Sequence, residues 1–237
     1  MKADLHVHTC YSIDCCTSLE RIIDHCIAIG IECIAVADHN TIEGALRLKE
    51  IAPFKVIVAE EVLTPVGELM GLFLTEEIPK GLSPLETIAR IKSQGALVNI
   101  PHPFGRSLFG NSNKLTSPEI LSQVDVVEVF NSRTPLSGRS AVKARRLAQE
   151  YRKPASAGSD AHTIGEIGRA YVEMPEFNGP EDFLICLSQG KIFGHNSGPL
   201  IHFASTRAKM GKRLGFYPKP KSLPLTEIDL TNRKDSC

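Results

Sequence analysis

The chain has 237 residues, with 27 Lys+Arg against 27 Asp+Glu and 42% hydrophobic residues. That balance excludes a disordered or collagen-like chain, and the length suits one α/β barrel, or one domain with a small appendage. No run of about 18 apolar residues occurs, so no transmembrane helix is expected, and Met1-Lys2-Ala3-Asp4 lacks the apolar stretch of a secretory leader. Seven cysteines fall at 10, 15, 16, 26, 33, 186 and 237, with no Cys-x-x-Cys pair. The odd number and the spacing argue against a disulfide framework and a zinc ribbon, so reduced thiols and a cytoplasmic location are expected.

The chain reads as alternating strands and helices. Ala3 to His8 alternates with period two. Thr17-Ser18-Leu19-Glu20 reads as a capping box, and Leu19, Ile22, Ile23 and Cys26 recur at helical spacing up to Gly30. Cys33 to Ala37 is an apolar run suited to a buried parallel strand. Thr41 is expected to cap a helix reaching Glu50. Lys55–Ala59 and Gly67–Leu74 read as strands joined by the turn Thr64-Pro65-Val66-Gly67. Ser83-Pro84-Leu85-Glu86 is a second capping box, with Pro at the first helical position, and its helix stops at Gly95. Further strands are expected at 96–100, 124–130, 155–159, 170–174 and 192–194, with helices from Ser117, over Ser140–Tyr151 and over Pro180–Gln189. Six or seven βα units imply a parallel sheet, most economically closed or nearly closed into a barrel.

Charge divides the chain. From Thr206 to the end, eight basic residues face three acids, a net of +5, which leaves −5 for residues 1–205. The expected organisation is a barrel over 1–205 and a basic, Pro-containing extension over 206–237. The extension reads as a solvated tail, with a nucleic-acid arm as the sharper alternative.

In such barrels chemistry sits at the C-terminal ends of the strands. Five of the eight histidines fall there. His6 and His8 share one strand face, since residues i and i+2 point the same way. Asp38-His39, Glu60-Glu61, Pro101-His102-Pro103 and Asp160-Ala161-His162 end four other strands, and Asp14 lies in the loop after the first. Imidazoles and carboxylates converging without cysteine suit two or three divalent ions, Zn, Mn or Fe, with Mg also admissible. Such ions activate water near neutral pH and clamp phosphoryl oxygens. No GxSxG elbow, P-loop or GxGxxG motif offers rival machinery.

His6-Val7-His8-Thr9, Tyr11-Ser12-Ile13-Asp14, Ala37-Asp38-His39-Asn40-Thr41, Ile100-Pro101-His102-Pro103 and Gly158-Ser159-Asp160-Ala161-His162 resemble, in the same order, the motifs of the PHP (polymerase and histidinol phosphatase) family. The resemblance covers roughly residues 1–200. It implies a distorted (β/α)7 TIM-like barrel, a three-metal centre and hydrolysis of a phosphate ester by a metal-bound hydroxide. It further implies that His6, His8 and Asp160 hold a first metal, that Glu61 bridges it to a second held by His102, and that Asp14, His39 and His162 hold a third. Asp160, Glu61 and His102 are then the expected catalytic set. Many members place a histidine where this chain has Glu68, which could replace it as a second-site ligand. Glu60 is expected to point away, by strand alternation. Glu128 could support a ligand histidine from behind or serve packing, and Asp38 would stand behind the ligands.

Arg106, Arg133 and His195 are candidate substrate-binding residues, since a guanidinium fork suits phosphate oxygens. The expected partner is a small phosphorylated substrate, nucleotide or oligonucleotide. No membrane and no obligate protein partner is indicated. Two other readings stay open: a non-catalytic metal-binding or regulatory module of the same fold, and metal-dependent amide or ester hydrolysis.

Overall fold

The computed structural model describes residues 1–105, 115–134, 137–198 and 201–217. In chain order the first half runs β1 (Lys2–Val7), α1 (Leu19–Ile29), β2 (Cys33–Val36), α2 (Glu43–Ile51), β3 (Lys55–Thr64), β4 (Gly67–Leu72), α3 (Pro84–Lys92) and β5 (Leu97–Ile100). The second half runs α4 (Pro118–Gln123), β6 (Val126–Asn131), α5 (Ser137–Glu150), β7 (Ala155–Gly158), β8 (Ala170–Glu173), α6 (Gly179–Ser188), β9 (Lys191–Gly194) and α7 (Ile201–Arg213).

Local chemistry accounts for most element ends. Gly30 ends α1 with φ 69°, a left-handed conformation that costs glycine little. The Ser83–Glu86 capping box forms at α3, where the Ser83 side chain and the Glu86 backbone N–H and carboxylate satisfy one another. The Thr17–Glu20 box does not form. Ser18 is the N-cap of α1 and makes no side-chain capping bond, while the Thr17 hydroxyl donates to the His162 carbonyl at 3.4 Å. A tertiary contact to the end of β7 thus takes the hydroxyl that the local pattern assigned to the helix. Thr41 keeps part of its expected role, accepting from the Glu43 N–H at 3.2 Å.

The nine strands form one sheet in the order β7-β6-β5-β4-β3-β2-β1-β8-β9. β1, β2 and β3 are parallel, as are β5, β6 and β7. β4 runs antiparallel to both its neighbours, because a hairpin rather than a helix joins it to β3. Pairing along that hairpin carries β3 to Thr64, beyond the Ala59 end that its apolar run suggests. The sheet then curls until β7 returns to β1. The Asp160 N–H donates to His6 O at 2.7 Å, and the His8 N–H donates to Ala161 O at 3.0 Å. At the other end of β1, Lys2 and Ala3 pair antiparallel with β8. This wedge of β8 and β9 is what distorts the barrel.

Two packed layers surround the sheet. Inside lie Leu5, Ala35, Ile57, Ala59, Met70 and Leu72, and the bottom is plugged by Phe177 and Phe183 with Phe73 against them. Burying each of these two fully enclosed phenylalanines stabilises the fold by about 2–3 kcal/mol. Outside, Ile34, Val36, Val56 and Val58 pack against Leu19, Ile22 and Leu48 of α1 and α2.

One irregularity decides where the histidines point. The β1–β2 register shifts between Asp4 and Val7. Ala3 and Leu5 pack in the inner layer, whereas Val7 packs in the outer one. Strict alternation from Leu5 would send His6 and His8 outward, and the bulge re-aims them inward. A second shift between Glu128 and Phe130 in the β6–β7 pairing brings Asn131 beside Glu128.

Candidate metal centre

The structure brings the nine ligand candidates of the sequence together at the C-terminal mouth of the barrel. β1 supplies His6 and His8, both fully buried, with their Nε2 atoms 3.2 Å apart. β3 supplies Glu61, whose Oε1 lies 2.9 Å from His102 Nε2 and whose Oε2 lies 3.2 Å from His39 Nδ1. The loop after β1 supplies Asp14, 3.1 Å from His162 Nε2 and 3.4 Å from His39 Nε2. After β7, Asp160 Oδ1 lies 3.3 Å from His8 Nε2. Glu68 on β4 reaches the same mouth, 3.7 Å from His39 Nδ1 and 3.9 Å from His102 Nε2.

These side chains form four overlapping groups able to hold an ion: His8, Asp14, His39 and His162; His6, His102 and Asp160; His6, His8 and Glu61; and His39, Glu61 and Glu68. Glu60 points the other way, where its Oε2 accepts from the Ile78 N–H at 2.8 Å.

The donor chemistry fits metal ions. His6 Nδ1 lies 3.1 Å from the Glu128 carboxylate, and His162 Nδ1 lies 2.9 Å from the Asp160 carbonyl. Neither partner can donate, so each Nδ1 carries a proton, and each Nε2 is the atom that would offer a lone pair to a metal ion. Glu61 Oε2, His8 Nδ1 and His162 Nε2 are buried without a hydrogen bond. Buried polar atoms left so are costly unless a ligand takes them up.

Electrostatics point the same way. Burial opposes charge on His39, yet the Glu61, Asp14 and Glu68 carboxylates outweigh it and lift its pKa to about 9. Burial likewise opposes charge on His6, and Glu128, Asp160 and Glu61 overcome it. Burial would raise Asp14 and Glu61, but the surrounding imidazoles hold both well below the usual carboxylate range. His8 behaves differently: burial, reinforced by His162, His39 and His6, pushes it down to about 3, so it stays a neutral donor. A site with this much negative charge calls for cations, either protons or metal ions.

Two ligand candidates sit on unusual backbone. His102 has φ 27° and Asp160 φ 54°, left-handed values that non-glycine residues adopt at a cost of about 1–3 kcal/mol. Hydrogen bonds hold them there. The His102 N–H donates to Glu128 Oε2 at 2.6 Å, and Asn131 Nδ2 donates to Glu128 Oε2 at 3.1 Å and to Asp160 Oδ2 at 3.3 Å. Glu128 therefore stands behind two ligand candidates, the supporting role the sequence left open. Asp38 instead accepts from the backbone and hydroxyl of Thr9, both at 2.6 Å, and steadies the loop leading to Asp14.

The substrate-side expectations fare less evenly. Arg106 lies outside the described residues. Arg133 is only 3% exposed and is turned inward. Its Nη1 donates to the Asp160 carbonyl, Nη2 to Ser205 Oγ at 2.9 Å, and Nε lies 3.4 Å from Glu166. It is a brace under Asp160, not a guanidinium presented to a ligand. His195 is exposed, just past β9, and its N–H donates to Arg169 O. Its side chain is in none of the four ion-holding groups.

Two further buried acids, Asp4 and Glu166, hold the backbone beside the ligand candidates. Asp4 accepts from the Ser159 and Gly168 N–H groups, each at 2.8 Å, and fastens β1 to the end of β7. Glu166 accepts from the His162 and Thr163 N–H groups at 3.2 and 2.9 Å. The Thr163-x-x-Glu166 spacing was a legible capping signal for the latter. For Asp4 the only signal was its place two residues before His6.

The family described as PHP domain matches residues 4–64, and that described as PHP-associated matches residues 138–192. The uncharacterized protein MJ0417 of Methanocaldococcus jannaschii is 40% identical over 195 residues, 78% of each chain. MJ1587 of the same organism is 39% identical over 145 residues, 56% of this chain and 82% of that one.

Among solved structures, a two-domain protein from Bacteroides vulgatus is described as containing a predicted PHP-like metal-dependent phosphoesterase. It matches with a TM-score of 0.61 at 16% identity. The match covers 82% of this chain and 65% of that one, just under two thirds. PsfC from Pseudomonas syringae matches with a TM-score of 0.60 at 14% identity, over 90% of this chain and 98% of that one. An amidohydrolase from Chromobacterium violaceum matches with a TM-score of 0.58 at 16% identity, over 73% and 92%. At these identities the structures speak to the fold.

Proposed function

The chain belongs to the PHP family, and from that premise we propose that it hydrolyses phosphate esters at a centre of two or three divalent ions. The observation that carries this reading is the inward aim of the His6 and His162 Nε2 lone pairs at a mouth lined by Asp14, Glu61, Glu68 and Asp160. We assign His6, His8, Glu61 and Asp160 to a first ion, Glu61, Glu68 and His102 to a second, and Asp14, His39 and His162 to a third. Mn, Zn and Fe suit this mixture of imidazole and carboxylate, and Mg is admissible. Bound there, such ions lower the pKa of water and draw charge from phosphoryl oxygens.

The protein's own residues supply order. Glu128 keeps the Nδ1 proton on His6, so that its Nε2 stays a donor to metal. Asn131 and Arg133 hold Asp160 from two sides, which fixes the carboxylate nearest His8. Glu61 lies within 3.6 Å of four imidazoles, those of His6, His8, His39 and His102, and would tie neighbouring ion sites together. With Arg133 turned inward, phosphate oxygens would be recognised mainly by the ions.

A second reading, metal-dependent amide hydrolysis, draws support from the fold shared with the Chromobacterium violaceum amidohydrolase. One experiment separates the two. The protein is stripped with chelator and reloaded with Mn, Zn, Fe or Mg. It is then assayed for phosphate release from nucleotides, sugar phosphates and histidinol phosphate, and for amide cleavage on a parallel set. Metal-dependent phosphate release is expected. Amide cleavage without phosphate release would overturn the first reading, and inertness on both sets in every metal would favour a binding module.

A further inference from the structure

The C-terminal helix turns the usual order of an amphipathic helix around. The covered face of α7 carries mostly small residues: Ala208 is buried, Gly211 is buried beneath the Tyr217 ring, and Ala204 and Ser205 are half-buried, as is Ile201 at its start. Its outer face carries Phe203 at 72% exposure and Met210 at 59%, with Phe216 at 74% just past its end. Surface helices normally turn large apolar side chains inward, and clustered exposed ones mark an interaction surface. Arg207, Lys209 and Arg213 lie among them, all exposed. Among the described residues, ion pairs of Lys and Arg involve Arg47, Lys92 and Arg133, and none comes from α7.

This face is anchored at the mouth of the metal centre. Ser205 Oγ accepts from Arg133, which in turn holds the Asp160 carbonyl. About two turns further on, Lys212 Nζ donates to the carbonyls of Cys10 and Ser12, in the loop that bears Asp14. The helix therefore runs along the rim from the Asp160 side to the Asp14 side, a span of about 20 Å for its 13 residues.

We propose that α7 is a docking surface for single-stranded nucleic acid, which it leads to the metal centre as a phosphodiester substrate. The proposal rests on the phosphate-ester reading above. Exposed aromatic rings beside cations that meet no carboxylate among the described residues suit a single strand, since bases stack on the rings and phosphates meet the cations. The charge is complementary as well: residues 206–217 hold four cations, Arg207, Lys209, Lys212 and Arg213, and no acid, so a polyanion is drawn to this helix. A lipid surface could use the same mixture of side chains. The helix that carries the strip, however, is bonded through Ser205 and Lys212 to residues of the mouth where a phosphodiester has to arrive, and a bilayer seated on it would face that mouth.

The test uses the full-length, metal-loaded protein and a fluorescein-labelled oligouridylate of about 12 nucleotides, a length within the usual site size. Binding is followed by anisotropy between about 50 and about 200 mM KCl, and log K should fall against log salt with a slope near −2, from three released counterions. The charge-reversal variant R207E/K209E/R213E should weaken binding at least about tenfold and flatten the slope. The variant F203A/F216A should weaken binding about fivefold or more while keeping the slope. Circular dichroism checks that α7 remains folded in both. Both should turn over bis(p-nitrophenyl) phosphate within about threefold of the parent, because neither touches the centre.

Failure to bind the oligouridylate, binding indifferent to both variants, or preferential binding to phosphatidylserine vesicles would overturn the proposal. In each of those cases unimpaired turnover of the small ester would leave the phosphoesterase reading standing. Oligouridylate bound through α7 by a protein that cleaves no phosphate ester would uphold the surface and overturn the catalytic reading.

Discussion

Glu60 and Glu61 are adjacent on β3 and face opposite environments. Glu61 sits among His6, His39 and His102, whereas Glu60 is buried on the opposite side with the Ile78 N–H on one oxygen. Glu61→Gln removes a charge common to two of the groups able to hold an ion. It is expected to lower both metal content and turnover, the latter by about 10² or more, while Glu60→Gln leaves both near the parent value. Elemental analysis and a phosphate-release assay on the two variants check this, and the reverse pattern would mean the strand faces are exchanged. Glu60 also makes a pH prediction. Burial pushes its pKa up to about 8, from 4.5 in an exposed chain. The folded protein holds that proton over the interval where the unfolded chain has lost it. The stability tied to Glu60 is thus complete below about pH 4.5 and is lost as pH rises through about 8. The Tm of Glu60→Gln relative to the parent should accordingly be higher at pH 9 than at pH 5.

Among the elements, the meeting of β7 with β1 is the tightest. A Cβ on Gly158 would stand 2.3 Å from His6 Cβ and 2.7 Å from His6 N, so any side chain there pushes on the backbone that carries a ligand candidate. Gly158→Ala is expected to destabilise the fold by about 1–3 kcal/mol and to lower metal content with it. Thermal denaturation and elemental analysis of one preparation read both. The C-terminal helix makes a contrasting prediction. Deleting residues 218–237, which include none of the ligand candidates, should keep turnover of a small phosphate ester within about threefold. Deleting from Ile201 onward removes the partners that α7 gives to Arg133 and to the Cys10 and Ser12 carbonyls. That loss should cost about 3 kcal/mol, roughly 6–12 °C in Tm. The helix crosses residue 205, the place where the charge changes sign along the sequence.

For the whole molecule, the concentration of acids at one mouth makes metal loading its main electrostatic event. Protein purified without chelator should contain two or three divalent ions per chain. Removing them should lower Tm, because four carboxylates and five imidazoles are then left to one another. Metal ions and protons compete for the same atoms, so apparent metal affinity should rise from pH 6 to pH 8. Fewer than one ion per chain after reconstitution would sink the multinuclear assignment. Among the described residues six cysteines are free thiols, and no helix is long and apolar enough to cross a membrane.

Much of this was legible in one dimension. Strand ends bearing His6, His8, His39, Glu61, His102, Asp160 and His162, the hairpin at Gly67, the Ser83 cap and the Gly30 stop are all written locally, in periods of two and 3.6 and in residues suited to caps. Because parallel strands must gather with their C-terminal ends on one side, residues placed at those ends converge whatever the loops between them do. What only the tertiary structure decided depends on partners distant in sequence. The bulge that re-aims His6 and His8 comes from the β1–β2 register, and the left-handed backbone of His102 and Asp160 is held by Glu128 and Asn131. Whether an arginine meets solvent or a buried carboxylate was equally beyond the sequence. Arg133 became a brace because Glu166, the Asp160 carbonyl and a helix some 70 residues further along the chain close around it. Local patterns record which way a short segment can fold, and long-range packing selects which of its polar groups are left to face a ligand.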